Sequence, residues 1–394
     1  MNYRETLRHP VIARLSLIQL ISYFGTWFSQ VAIFSMLVAL DANAVTIAMT
    51  AAMAMLPAVV LAPMIGIVID RIHFKPLMLT LLLTEIIMTL GFLFIHSLEY
   101  VWVLMILIFL RSGAASMLFS AEMALFPKIV KGEMLKNTNE IHSIIWSLCY
   151  ALGMAVGGIA TYYFGYKTAF LADAFLYTVA VFLLFGLKLT LEVEKQHHSN
   201  WKMFTDGFSY LKSKRKLIHL LLLHAAIGLT SFDALITLLA DFKYKEFIAV
   251  PLAIGLMNAT RAVGLMIGPF FIGKIINKNN LHIFFLMQGV AIMLWAGMED
   301  HFYLSLITLF ITGFFITTLW SYTYLLIQEE TDKAYMGRVI SYNDMFFMLS
   351  NVATALFIGY ASKWGLSLES ITFTLGCGFV FFAGYYMWFK KVYL

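Results

Sequence analysis

Twelve stretches of mostly apolar residues follow one another along a chain of 394, at 11–40, 45–69, 76–96, 101–125, 138–163, 167–187, 217–240, 250–273, 281–298, 302–327, 337–361 and 369–389. A helix needs about 20 such residues to cross the hydrocarbon core of a bilayer, and within lipid every backbone amide and carbonyl has to be paired inside the protein. The expected fold is an all-α membrane protein of twelve transmembrane helices. Composition points the same way, with 61% hydrophobic and only 12% charged residues, where a soluble domain carries about 25% charged. That excludes a disordered chain, and two cysteines cannot staple a disulfide scaffold of this size. Cys149 and Cys377 lie in apolar runs and read as small buried hydrophobes. The polar, basic start Met1–Pro10 and the long run behind it do not make a cleavable signal peptide.

Most connections are short, as helical hairpins require, but the link 188–216 is long. It suggests two six-helix bundles, 1–187 and 217–394, joined by a linker at 188–216. Within the linker Trp201, Phe204, Phe208 and Leu211 share one helical face, flanked by Lys202, Lys212, Lys214, Arg215 and Lys216. Such a helix is expected to lie at the inner membrane surface among anionic lipid headgroups. With the N-terminus inside, 21 of the 27 Lys and Arg fall on inner segments, and only Lys167, Lys243, Lys245 and Lys363 on outer ones. This bias places both termini in the cytoplasm of a multi-pass inner (plasma) membrane protein. It also accounts for the net charge of +5 without a nucleic-acid partner.

A short pattern recurs at equivalent places in the two halves. Gly66, Asp70 and Arg71 follow the second run, and Gly273, Asn277 and Lys278 follow the eighth, each after a proline (Pro63, Pro269). A parallel duplication leaves such a trace. The first of these loops, Gly66-x3-Asp70-Arg71-x3-Lys75, resembles the signature loop of the major facilitator superfamily. Arg111-Ser-Gly113 resembles that family's fourth-helix arginine motif, and Gly153-Met-Ala-Val-Gly157-Gly158 its glycine-rich antiporter motif, with Met154 where proline is usual. Leu56-Pro57, Phe126-Pro127, Asp206-Gly207 and Gly337-Arg338-Val339 are similar to a bacterial branch of macrolide-efflux and enterobactin-exporter-like proteins. The resemblance implies the major facilitator fold, two pseudo-symmetric six-helix bundles around a cavity, and transport by alternating access. It further implies a gating latch of Gly66, Asp70, Arg71, Lys75 and Arg338 that holds the cytoplasmic side shut. On that basis Asp70→Asn raises the inward-open population, read as cytoplasmic accessibility. Span one carries Gly25-Thr26 where many relatives have Gly-Asp, so a coupling role for a first-helix carboxylate does not carry over.

Ionisable groups within spans cost about 2.5–3.5 kcal/mol each on insertion scales and are functional suspects. Here they are Glu85, Arg111, Asp173, Asp233, Arg261 and Asp344. Arg111 and Glu85 fall at similar depth, so a charge pair between them is feasible, and Asp233 is within reach of Arg261. The spans that line the family's cavity favour Arg111, Asp233, Arg261 and Asp344 as cavity or proton-coupling charges over Glu85 and Asp173. Gln19, Tyr23, Trp27, Gln30, Trp146, Asn258, Trp320, Tyr324 and Asn343 supply the aromatic and amide lining that suits an amphiphilic organic ligand. His142 and His224 read as local structural histidines rather than metal ligands.

Gly268-Pro-Phe-Phe-Ile-Gly273-Lys274-Ile275 approaches a phosphate-binding loop but lacks the Ser or Thr after lysine. No catalytic motif is present, and an enzyme, a cofactor and a metal are not expected. The reading is a monomeric secondary transporter that exports an amphiphilic organic molecule, of drug or siderophore and metallophore class, by proton antiport. Its partners would be the small-molecule substrate, protons and membrane lipid. The alternatives are a facilitator or proton symporter importing a small polar solute, and a lysophospholipid transporter.

Overall fold

The computed structural model describes residues 3–61, 68–69, 72–187, 208–332 and 335–393. Gly66, Asp70 and Arg71 of the expected latch, and the linker up to residue 207, lie outside the described residues. The described chain is nearly all helix. Among the described residues ten helices are long and apolar enough to cross a membrane. Two features bring these to twelve spans. The helix Gly132–Phe185 runs through 54 residues but is broken at Gly165, whose φ of 77° ends span five and starts span six. Only glycine takes that backbone conformation without a Cβ penalty. Span two, Ala44–Val60, is a shorter apolar helix.

The other spans are Pro10–Ala39 (one), Phe74–Gly91 (three), Val101–Ile129 (four), Val250–Ile272 (eight), Leu281–Met298 (nine), Phe302–Glu330 (ten), Met336–Lys363 (eleven) and Leu368–Tyr393 (twelve). Span seven is discontinuous. A helix over Arg215–Ala225 tightens into a 3-10 turn at Ala226–Thr230, and a second helix begins at Asp233 and runs to Leu239.

By contact the chain forms two units. The first is Met1–Asp41 with Val60–His197, the second Ala42–Val59 with His198–Leu394. Span two thus groups with the second unit, its Ala44 and Ala48 against Gly359 of span eleven. In the first unit Leu15, Leu82, Leu118, Phe126, Tyr177 and Leu184 meet in one core shared by spans one, three, four and six. Span five presses on span one where Gly157 leaves no side chain between its backbone and the Phe28 carbonyl, the small-residue packing that membranes favour. Lys75 donates to the Phe185 and Leu187 carbonyls at 2.8 and 3.1 Å. It thereby satisfies the open end of span six, where a cation also meets the negative pole of the helix.

Candidate functional site

Within the first unit, Arg111 sits ten residues into span four, 4% exposed. Its Nη2 donates to Asp173 Oδ2 of span six at 2.8 Å and to Ser29 Oγ of span one at 2.7 Å. The Phe92 and Tyr177 rings stand 5.8 and 5.9 Å from its guanidinium. Depth alone offered Glu85 as the partner. Asp173 takes the place because Gly25 has no side chain: a Cβ there would collide with Asp173 Oδ1. Glu85 is equally buried and feels the Arg111 charge, but makes no ion pair with it among the described residues. The neighbouring Thr26 hydroxyl shares a 2.7 Å hydrogen bond with Tyr177.

About 16 Å along span four toward its C-terminal end lies a residue that sequence reasoning missed. Glu122 is fully buried, and its Oε2 accepts from the Tyr23 hydroxyl at 2.6 Å and from Gln19 Nε2 at 3.0 Å. It lies three residues from the end of the run read at 101–125. The structure continues that helix to Ile129. His142 lies in the same layer, its ring 5.8 Å from Tyr23 and 4.9 Å from Phe119. Trp27 packs at 4.6 Å on Tyr150 and 5.8 Å on Trp146, which is 37% exposed. Gln30 is half-buried, further along span one.

The second unit holds the remaining candidates in two places. At the break in span seven, Arg261 Nη2 donates to the Thr230 carbonyl at 2.8 Å and its guanidinium lies 5.0 Å from the Phe232 ring. Arg261 therefore closes the carbonyl end of the first half-helix, and its charge is felt at Asp233, which opens the second. Asn258, buried one turn before Arg261, donates to the Ile254 carbonyl at 3.1 Å. The other place joins spans seven, ten and eleven. Trp320 and Tyr324 stack at 5.0 Å, and the His224 ring is 5.5, 5.7 and 5.5 Å from Trp320, Tyr324 and Phe347. His224 is held by Thr323 at 2.8 Å. Asp344 stands exposed nearby and receives the buried Asn343 amide at 3.3 Å. Arg338, at the N-terminal end of span eleven, lies 5.1 Å from the Tyr335 ring.

Outside the spans, Glu299 ties three elements of the second unit together. Its carboxyl accepts from Thr372 of span twelve and lies 3.7 Å from Lys243, while its carbonyl accepts from the Tyr244 hydroxyl at 2.7 Å. Burial pushes the Glu299 carboxyl up to about 7, although Thr372 and Lys243 pull it back. The folded protein then holds a proton that the unfolded chain has already lost above its ordinary value of about 4.3. Stability from this group accordingly falls as pH rises from about 4.3 to 7. Thermal unfolding in detergent should show a lower midpoint at pH 8 than at pH 5.5, and Glu299→Gln should narrow that difference.

Comparison with known proteins agrees with this architecture. The family model of the Major Facilitator Superfamily matches residues 15–355. Macrolide efflux protein A of Streptococcus pyogenes is 22% identical over 334 residues, 82% of each chain. Its namesake in Enterococcus faecalis is 22% identical over 297 residues, 73% of this chain and 91% of that one. Among solved structures, a bacterial homologue of the human lysosomal transporter Spinster, inward-facing and occupied, aligns with a TM-score of 0.76 at 13% identity, covering 98% of this chain and 97% of that one. The nucleoside transporter NupG aligns with a TM-score of 0.69 at 14% identity, covering 99% of this chain and 98% of that one. At such identity these structures speak for the fold alone.

Proposed function

Because the chain belongs to the Major Facilitator Superfamily, we propose that it is a secondary active exporter of an amphiphilic organic molecule, driven by protons moving the other way. It would act in the inner (plasma) membrane with both termini in the cytoplasm, as the Lys and Arg bias supports. The observation that carries the proton-coupled part is a charge imbalance. Among the described buried residues of the first unit, Arg111 is set against three acids, Glu85, Glu122 and Asp173. Arg111 pairs with Asp173. Glu85 and Glu122 are left without an ion pair among the described residues, and a buried charge so poorly compensated is costly enough that such groups bind protons instead. They are released when the site opens to water or a cation arrives. Efflux as the direction is supported by the macrolide efflux relatives.

The test is transport in proteoliposomes with an imposed pH gradient, screening macrolides, metallophores and lysolipids. Accumulation that follows the gradient and collapses with a protonophore is the expected result. Counterflow at the same rate with and without a gradient would make the protein a facilitator.

A further inference from the structure

The cluster around Asp344 has a chemistry that the proton reading does not use. Asp344 is eight residues into span eleven, about 12 Å from its inner end, on a helix that starts at Met336. By the same rise, Tyr324, Trp320 and His224 lie about 9–15 Å from the inner ends of spans ten and seven. The carboxylate and the three rings therefore share one layer. Asp344 is exposed, and among the described residues its polar contact is the Asn343 amide at 3.3 Å, with no cation paired to it. It lies within electrostatic reach of the Tyr324 hydroxyl. An exposed, unpaired carboxylate at that depth is too costly to face lipid, so it faces a watered passage or a ligand. Trp320, 37% exposed, stacks on Tyr324 and extends that ring into a broad aromatic face. His224 packs against both rings and is itself pinned by Thr323, which keeps the pair in place.

A carboxylate at the same depth as a stacked aromatic pair, and within electrostatic reach of one of its rings, suits one ligand chemistry: a positive charge on an apolar body, since the acid offers charge and the ring faces offer cation–π attraction and area. We infer that Asp344, Trp320 and Tyr324 form a docking site for organic cations, which sets the substrate class as amphiphiles carrying a positively charged nitrogen or its equivalent. The inference rests on the reading of the protein as a transporter of amphiphiles, and adds that the charge is recognised by Asp344.

Equilibrium binding to the purified protein in detergent tests it, with tetraphenylphosphonium as the cation and triphenylphosphine oxide as a neutral counterpart of similar shape. Asp344→Asn should weaken tetraphenylphosphonium at least tenfold and leave the neutral probe within twofold. Asp344→Glu should keep the cation, and Trp320→Ala should weaken both probes. Cation binding unchanged in Asp344→Asn, an equal loss of both probes in that variant, or a wild-type protein that does not bind the cation would each overturn the assignment. Binding at equilibrium needs no gradient, so this site and the proton-coupled reading fail in different experiments.

Discussion

Asp173→Ala should cost the folded protein about 3–5 kcal/mol, the loss seen when one member of a buried ion pair is removed and the other stays behind unpaired. Both members are enclosed here, Arg111 at 4% and Asp173 at 0% exposure. Among the described residues the stranded guanidinium would keep Ser29, the two flanking rings and the charge of the unpaired Glu85. Thermal unfolding in detergent should show a large drop in midpoint. Replacing both charges, as in Arg111→Met with Asp173→Leu, should recover most of it, because well-packed apolar pairs often match a buried salt bridge. Gly25→Ala should reproduce much of the single-mutant loss, since its methyl would take the space of Asp173 Oδ1. An Asp173→Ala protein that melts at the wild-type temperature would show that Arg111 is not enclosed with a single counter-charge.

The spans were legible in the sequence because one requirement, enough apolar length to cross lipid, governs them all. The reading 250–273 against Val250–Ile272 and 281–298 against Leu281–Met298 shows how closely the ends follow. What composition could not show was discontinuity. The break in span seven falls at Thr230, Ser231 and Asp233, polar residues inside the run 217–240, and is shaped by tertiary contact: Gly228 is pressed against Ser350 and Asn351 of span eleven. Pairing was hidden for a related reason. Depth along a helix placed Glu85 level with Arg111, but which acid reaches the guanidinium depends on the room left by Gly25 on a third helix. Glu122 had a signal, an ionisable side chain inside the run 101–125 in a helix that continues through Pro127 to Ile129. Trp320, Tyr324 and Asp344 are each assigned to the cavity by their spans alone; the stacking of the two rings, and His224 packed against them, come from the structure.

The largest functional effect should come from Glu122→Gln. The amide keeps an oxygen to accept from Tyr23 and Gln19, so the change in stability should stay near 1 kcal/mol, the typical net worth of one hydrogen bond. The geometry at 2.6 and 3.0 Å then survives with a group that cannot exchange a proton. Gradient-driven transport in proteoliposomes should fall at least tenfold, while counterflow of the same solute, which needs no net proton movement, should persist. Glu85→Gln makes the discriminating partner experiment, because Glu85 is the other acid left without an ion pair among the described residues. If both carboxyls carry the coupling, either variant alone retains part of the response to the gradient and the double variant has none. If Glu122 alone carries it, Glu85→Gln leaves coupling intact. Full coupling in the Glu122→Gln protein would leave the exchange to Glu85, and full coupling in the double variant would remove the charge imbalance as its basis.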